Sequence, residues 1–143
     1  TRKWYYMLPP EIWGQVTAPF VRWVYKGKLF MQVNRAEAKE HIICYTWLPS
    51  SAIRTLTKLG KRARAPETLE KVTCPVLILH GRGDVASSPK AAEKALEGMA
   101  SEDKRFVLLE RSNHHMYWDY DQEIVFEEAL AFAAKVCGAE GEE

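Results

Sequence analysis

Two short apolar runs stand out in the second half of the chain, each bounded by polar or turn-forming residues. The first is VLIL within "CPVLILHG" (74–81), and the second is FVLL within "KRFVLLE" (104–110). Both have the length of a β-strand, contain β-branched residues and lack the alternation of a strand with one solvated face. The pattern therefore predicts two strands that are buried on both faces of a sheet.

Helical spacing of apolar residues follows each predicted strand. In "SSPKAAEKALEGMA" (87–100), Ser88 is predicted to cap a helix and Pro89 to occupy its first position. In "DQEIVFEEALAFAAKVCG" (121–138), Gly138 is predicted to end a second helix. The predicted inward face of that helix comprises Ile124, Phe126, Leu130 and Phe132. The strand–helix–strand–helix order predicts an α/β fold with two parallel strands joined by a right-handed crossover.

The first 66 residues show helical spacing and offer no good strand. Residues 9–27 predict short, broken helices, because a glycine and a proline interrupt the pattern. Residues 34–47 predict another helix, and residues 49–72 predict a third that is capped by Ser50 or Ser51. The apolar stripe of the third helix comprises Ile53, Leu56 and Leu59. Three regions follow: a helical region, 1–66, a β-α-β-α region, 67–138, and a disordered tail, 139–143.

The two predicted strands need neighbours. Both have the composition of central strands, so their edges are expected to pair with further polypeptide. Residues 1–66 supply no such strand. The sequence therefore predicts part of a larger sheet, completed by a missing N-terminal half or by a dimer mate.

Composition and charge narrow the classes of function. The chain has 143 residues, 47% hydrophobic and 27% charged, and no apolar run approaches the roughly 18 residues of a membrane span. Residues 1–66 carry 12 Lys and Arg against 3 Asp and Glu, whereas residues 67–143 carry 8 against 16. This segregation fits an anionic partner, such as a lipid surface, or docking of one half on the other. The basic run "GKRARAP" (60–66) has no interleaved aromatics, so no nucleic-acid partner is expected.

Three cysteines, Cys44, Cys74 and Cys137, are far apart and form no CxxC or Cys/His metal spacing. We interpret them as buried or incidental thiols without a disulfide, which fits a reducing, cytoplasmic location. No metal site and no cofactor are expected.

An acid and an imidazole follow the two predicted strands. Asp84 comes after the first strand and His114 after the second. Because the carboxyl ends of parallel strands share one rim of the sheet, these side chains are expected to meet. A carboxylate that holds one nitrogen of a His ring leaves the other nitrogen able to deprotonate a nucleophile. Taken singly, Asp84 could be only a turn residue and His114 only a polar loop residue.

These stretches resemble the last two strands of the α/β-hydrolase fold. In that family a GxxD turn carries the triad acid, and a Ser-Gly-His type turn carries the triad His; here the matches are Gly81–Asp84 and Ser112–Asn113–His114. The likeness continues to Pro89 and Asp119, and residues 47–84 are similar to the carboxylesterase and monoacylglycerol-lipase branch. The resemblance implies that residues 1–66 form a helical cap.

The resemblance implies a serine hydrolase of carboxylic esters in which Asp84 orients His114, the general base. His115 is then a neighbour, and His80 a buried residue beside the site. Ser50, Ser51, Ser87, Ser88, Ser101 and Ser112 are better interpreted as caps or turn residues than as nucleophiles. The family's G-x-S-x-G nucleophile elbow does not occur in the sequence, so it is expected upstream of Thr1, and the chain alone is expected to be inactive.

Four residues are candidates for contact with a small ester or lipid-like substrate: Met7, Trp13, Trp47 and Val85. A plain core role for the aromatic ones is equally compatible with the sequence. The alternative to an enzyme is a truncated, non-catalytic relative that self-associates or binds a partner through its exposed sheet edge.

Overall fold

The computed structural model describes residues 22–25, 32–43 and 45–138. By their internal contacts the residues form two compact units. The first comprises Thr1–Phe30 and Ile43–Thr68, and the second comprises Met31–Ile42 and Leu69–Glu143. Residues 31–42 thus group with the C-terminal part of the chain, whereas the predicted division placed a single cut after residue 66. The predicted tail, 139–143, lies outside the described residues.

The first unit contains a small antiparallel ribbon. Strand β1, Trp23–Tyr25, pairs with strand β2, Trp47–Pro49, and Val24 lies opposite Leu48. The rings of Tyr25 and Trp47 pack at 4.9 Å between centroids. The prediction that residues 1–66 hold no strand is therefore wrong. Strands of three residues are too short to show a period of two, and 21 residues separate these partners.

Helix α1, Ser50–Ala63, follows the ribbon directly, and a short helix α2, Pro66–Leu69, comes after it. The capping position of α1 is Pro49, not a serine, and the amide of Ser50 donates to the carbonyl of Arg22 at 3.1 Å. The three residues of the predicted apolar stripe lie in α1, and two of them, Leu56 and Leu59, are largely exposed.

The predicted helix over residues 34–47 is also wrong. Only Glu37–Glu40 form a single 3-10 turn, and the segment ends in strand β2. The amides of Asn34 and Arg35 donate to the side chain of Asp119, and Trp47 pairs with Tyr25 in the ribbon. Contacts with distant parts of the chain therefore hold both ends of this segment. The predicted broken helices of residues 9–27 lie mostly outside the described residues.

The second unit has the predicted β-α-β-α order. Strand β3, Val76–Gly81, pairs in parallel with strand β4, Lys104–Leu109, from Val76 opposite Lys104 to Gly81 opposite Leu109. Helix α3, Pro89–Glu97, joins the strands, and helix α4, Gln122–Cys137, follows a 3-10 turn at Met116–Trp118. The predicted α/β fold with two parallel strands is confirmed.

The ends of α3 and α4 and the burial of β3 agree only in part with the prediction. Pro89 begins α3 as predicted, but the hydroxyl of Ser88 makes no capping hydrogen bond. Gly138 ends α4 with a φ of 70°, which a residue without a Cβ adopts freely. The strands are less enclosed than predicted: residues 76–79 of β3 are only half-buried.

The core of this unit forms around Leu109 of β4 and Val125 of α4, which are fully buried. The predicted inward face of α4 is largely wrong, since Ile124, Phe126 and Leu130 are exposed and Phe132 is half-buried. Apolar residues occur around much of this helix, so their spacing does not single out one face. Among the described residues, no helix is both long and apolar enough to cross a bilayer.

Candidate active site

The turn after β3 is anchored to the segment after β4. The amide of Arg82 donates to the carbonyl of Leu109 at 2.8 Å, and the amide of Gly83 donates to the carbonyl of Ser112 at 3.0 Å. The backbones come so close at Gly81 that a Cβ there would lie 2.5 Å from the carbonyl oxygen of Asn113. The turn that carries Asp84 and the loop that carries His114 therefore form one assembly.

The loop between β4 and α4, residues 110–121 (the His loop), is held from inside by two buried carboxylates. The first is Asp119, which is fully buried. It accepts hydrogen bonds from four backbone amides, at 2.8–3.0 Å: those of Asn34, Arg35, Asn113 and Tyr120. One carboxylate thus ties the segment 32–35 to the residue that precedes His114.

Asp121 is the second buried carboxylate of the His loop. Its Oδ2 accepts from the amide of Arg111 at 2.8 Å and from the hydroxyl of Ser112 at 2.9 Å. The amide of Asp121 donates back to the same hydroxyl at 3.1 Å. The Ser112 hydroxyl is consequently fully engaged and fully buried, so this serine is a structural residue.

The two predicted site residues meet. Nδ1 of His114 lies 2.9 Å from Oδ2 of Asp84, at hydrogen-bond distance. The carboxylate is almost enclosed, with 5% of its side chain exposed, whereas 46% of the His114 side chain is exposed. The acid is thus sequestered behind the ring, and the ring presents its remaining edge outward.

The Asp84 carboxylate accepts a full set of hydrogen bonds. Its Oδ1 accepts from the amides of Ala86 and Ser87, at 2.7 and 3.0 Å, and its Oδ2 accepts from the Ser87 hydroxyl at 2.8 Å in addition to His114. Burial alone raises the pKa of Asp84, but the hydrogen bonds from His114, Ser87 and Ala86 together outweigh it and lower that pKa. Asp84 is therefore an ionised acceptor at neutral pH, and Nδ1 of His114 carries the shared proton.

Two further side chains lie behind the acid. His80, at the end of β3, is buried, as the sequence suggested, and its Nε2 lies 3.0 Å from the Ser87 hydroxyl and 3.8 Å from Oδ2 of Asp84. The sequence interpretation missed Ser87 as part of the site. A signal was present: a serine three residues after an aspartate is well placed to close a turn with that carboxylate.

The other residues singled out from the sequence are His115, Val85, Trp47, Met7 and Trp13. His115 packs edge-on against His114, with 5.3 Å between centroids, and its amide donates to the carbonyl of Gln32. Val85 is exposed next to Asp84, and Trp47 lies in strand β2 of the first unit with 54% of its surface exposed. Met7 and Trp13 lie outside the described residues.

Cys74 and Cys137 are free and exposed, so of the two alternatives for them, buried or incidental thiols, the structure favours the second. Cys44 lies outside the described residues. Within the described segments, no group of three or more His, Cys, Asp or Glu residues is arranged to hold a metal ion.

Comparison with known proteins identifies the family and the fold of the chain. The sequence model of the family described as "Serine aminopeptidase, S33" (Hydrolase_4) matches residues 30–121. The chain is 29% identical over 114 residues to the thermostable monoacylglycerol lipase of Bacillus sp. strain H-257, covering 80% of this chain and 44% of that protein. The chain thus spans less than half the length of this curated relative.

Solved structures show the same fold. One reported for the metagenome-derived lipolytic enzymes LipS and LipT is 34% identical, with a TM-score of 0.60, over 65% of this chain and 37% of the other. A soluble variant of the Saccharomyces cerevisiae monoglyceride lipase, solved with a substrate analogue, is 20% identical, with a TM-score of 0.73, over 91% and 50%. The resemblance to the α/β-hydrolase fold and to its monoacylglycerol-lipase branch is confirmed. The chain belongs to the "Serine aminopeptidase, S33" family of α/β hydrolases, and the relatives that it matches are named as monoacylglycerol lipases and lipolytic enzymes.

Proposed function

We propose that these residues supply the acid and the base of a serine hydrolase that acts on carboxylic esters. The observation that carries the proposal is the 2.9 Å contact between Nδ1 of His114 and the buried, ionised carboxylate of Asp84. A ring held in this way has its proton on Nδ1 and an unprotonated Nε2, which is the state a general base requires.

The chemistry then follows in two halves. The serine oxygen attacks the ester carbonyl carbon while Nε2 of His114 takes the hydroxyl proton, and Asp84 stabilises the resulting imidazolium. The imidazolium returns that proton to the leaving alkoxide as the C–O bond breaks, which leaves an acyl-serine and a free alcohol. Water then attacks the acyl carbon and gives a proton to Nε2. The imidazolium returns that proton to the serine oxygen as its bond to the acyl carbon breaks, which releases the carboxylic acid and restores the serine.

The nucleophile in this proposal comes from polypeptide other than these 143 residues. No G-x-S-x-G elbow occurs in the sequence. Ser112 is enclosed by its bonds to Asp121, and the Ser87 hydroxyl is directed at Asp84. By itself the chain is expected to turn over no ester by this mechanism.

The substrate class we propose is a small, lipid-like carboxylic ester. Support comes from the relatives, which are named as monoacylglycerol lipases and lipolytic enzymes. We expect its acyl chain to contact Val85, which is exposed next to Asp84. The other expected contacts are the three residues that the sequence places in the cap: Met7, Trp13 and Trp47.

Complementation tests this function. The chain is mixed with a polypeptide that carries a G-x-S-x-G elbow from a relative, and hydrolysis of a short p-nitrophenyl ester is followed. We expect turnover from the mixture, loss of turnover with His114→Ala, and retention of most turnover with His115→Ala. Equal losses in the two variants would reject His114 as the base.

A second candidate function is supported by the open sheet. In the described part of the chain, β3 and β4 pair only with each other, and exposed apolar side chains such as Leu130 and Phe126 lie on α4. A non-catalytic relative that binds a copy of itself would use such surfaces. It would form a stable dimer, and no elbow-bearing chain would restore turnover.

A further inference from the structure

Behind the Asp84–His114 pair lies a second pair of side chains that the triad chemistry does not use. The Ser87 hydroxyl is 2.8 Å from Oδ2 of Asp84 and 3.0 Å from Nε2 of His80. Nδ1 of His80 is in turn 3.0 Å from the carbonyl oxygen of Gly81. Phe106 of β4 stacks against the His80 ring, which is 9% exposed in its side chain. The chain of contacts thus runs from the end of β3 to the carboxylate.

The hydrogens between Asp84 and His80 can be assigned from the carboxylate. An ionised Asp84 can only accept, so the one hydroxyl proton of Ser87 points at Asp84. The Ser87 oxygen must then accept from His80, which places a proton on Nε2 of that ring. Both contacts of the Ser87 hydroxyl are satisfied together when Nε2 of His80 is protonated.

The other ring tautomer of His80 breaks this chain. If only Nδ1 carries a proton, Nε2 must accept the proton of the Ser87 hydroxyl, and the Ser87 and Asp84 oxygens face each other at 2.8 Å without a hydrogen between them. The presence of a proton on Nε2 of His80 therefore decides which way the Ser87 hydroxyl points.

We propose that Ser87 and His80 are positioning residues for the triad acid: the Nε2–H group of His80 directs the Ser87 hydroxyl onto Asp84, which holds that carboxylate in place behind His114. The inference rests on the proposed function for its catalytic meaning. The arrangement itself is a property of the described residues.

The first test measures the hydrogens. Nitrogen-15 NMR of histidine side chains in the 143-residue chain, at a pH where Asp84 is ionised, should show a protonated Nε2 for His80. At a pH where His114 is neutral, that ring should carry its proton on Nδ1. A bare Nε2 on His80 under these conditions would mean that the hydroxyl points away from Asp84, and the proposal would be overturned.

The second test removes the hydroxyl. In Ser87→Ala the carboxyl-carbon titration of Asp84 should move to higher pH, because the Ser87 hydroxyl bond is one of the interactions that lower the pKa of Asp84. Ser87→Thr keeps a hydroxyl and should restore the wild-type titration. Ser88→Ala is the matched control, because the neighbouring hydroxyl makes no capping bond, and it should titrate like wild type. Coincident curves for Ser87→Ala and wild type would contradict the proposal.

In the complemented enzyme, Ser87→Ala should lower kcat roughly fivefold to tenfold with little change in KM, and Ser87→Thr should recover most of it. An unchanged kcat for Ser87→Ala would refute the positioning role. Failure of the proposed function is a separate outcome. In that case no variant turns over ester, while the NMR signatures of His80, Asp84 and His114 persist in the isolated chain.

Discussion

At the scale of single residues, Asp84 is where burial and hydrogen bonding act in opposite directions. Burial disfavours the charged carboxylate, whereas two backbone amides, one hydroxyl and one imidazole favour it and lower its pKa. The four donors occupy about as many sites as a carboxylate offers. His114, by contrast, has one hydrogen bond to the acid and an exposed outer edge, which suits a group that must exchange protons.

Replacing Asp84 with Asn tests whether the carboxylate holds His114 in the tautomer with its proton on Nδ1. The amide is nearly isosteric, but its NH₂ group cannot accept the Nδ1–H of His114, so the ring is held in the wrong tautomer. We expect kcat in the complemented enzyme to fall by about 10³- to 10⁴-fold while the far-ultraviolet circular dichroism is retained. Steady-state kinetics on a chromogenic ester measures the loss.

Asp103→Asn is the matched control, because that carboxylate is exposed and pairs with Lys135. It should leave kcat within about twofold of wild type. A loss of only twofold in kcat for Asp84→Asn would show that Asp84 is a turn residue without a role in the reaction.

Asp84 and His114 were predictable as neighbours from the sequence, but the residues that hold Asp84 in place were not. Asp84 and His114 follow apolar runs of strand length, and parallel strands bring their carboxyl ends to one rim. Ser87 joins the site only through the particular path of the turn after Asp84, which directs two amides and a hydroxyl at the same carboxylate. The composition of the turn does not specify that path.

At the scale of elements, the turn after β3 and the His loop are packed so closely that a single methyl group would separate them. A Cβ on Gly81 would lie 2.5 Å from the carbonyl oxygen of Asn113 and 2.7 Å from that of Ser112. Both neighbours are backbone atoms, so the clash can be relieved only by moving a whole loop.

Gly81→Ala should therefore destabilise the chain by more than about 2 kcal/mol and lengthen the contact between Asp84 and His114. Urea denaturation measures the first effect, and the NMR signal of the Nδ1 proton of His114 reports the second. Gly60→Ala is the control within helix α1, where a Cβ finds nothing closer than Arg64 at 4.0 Å. It should stabilise by about 0.5–1 kcal/mol. Equal midpoints of urea unfolding for Gly81→Ala and Gly60→Ala would show that the close approach at Gly81 does not affect stability.

Asp119 supports the His loop from the opposite side. Asp119→Asn replaces a carboxylate that accepts four backbone amides with a group that has one acceptor oxygen and presents two donors of its own. We expect a loss of about 3 kcal/mol in the free energy of unfolding, because at least two buried amides lose their acceptor. Equilibrium urea unfolding is the measurement.

The control for Asp119 is Glu110→Gln, which weakens a fully exposed ion pair with Arg82 at the start of the same loop. Its unfolding midpoint should match wild type, because exposed pairs contribute little. If Asp119→Asn also unfolds at the wild-type midpoint, the backbone amides of the loop have other acceptors.

The elements themselves were predicted unevenly, for a physical reason. Residues 74–138 were correctly assigned because each strand is a continuous apolar run and each helix is bounded by a proline or a glycine. The ribbon of β1 and β2 was missed because its strands are three residues long and far apart in sequence. Residues 34–47 were assigned to a helix because local spacing cannot show that one end of the segment binds Asp119, 85 residues after Asn34, and that the other end pairs with β1.

At the scale of the whole molecule, thiol exposure gives a direct test. Cys74 and Cys137 are free and exposed, so both should react rapidly with Ellman's reagent in the native state. The denatured chain should titrate three thiols, one for each cysteine in the sequence. Fewer than three would reveal a disulfide and would contradict a reducing environment for this protein.

The open sheet determines how the chain should behave in isolation. In the described part of the chain the parallel sheet has two strands. Such a sheet is marginal by itself, because parallel strands owe their stability to neighbours on both edges and to layers on both faces. The chain alone should therefore sediment as a dimer or as larger species in a concentration-dependent manner, and an elbow-bearing chain should replace this with a discrete 1:1 complex. Analytical ultracentrifugation with and without the second chain distinguishes the cases. A monomer that unfolds cooperatively without any partner would show that these residues suffice for a stable fold, and both the missing-strand and the self-association hypotheses would fail.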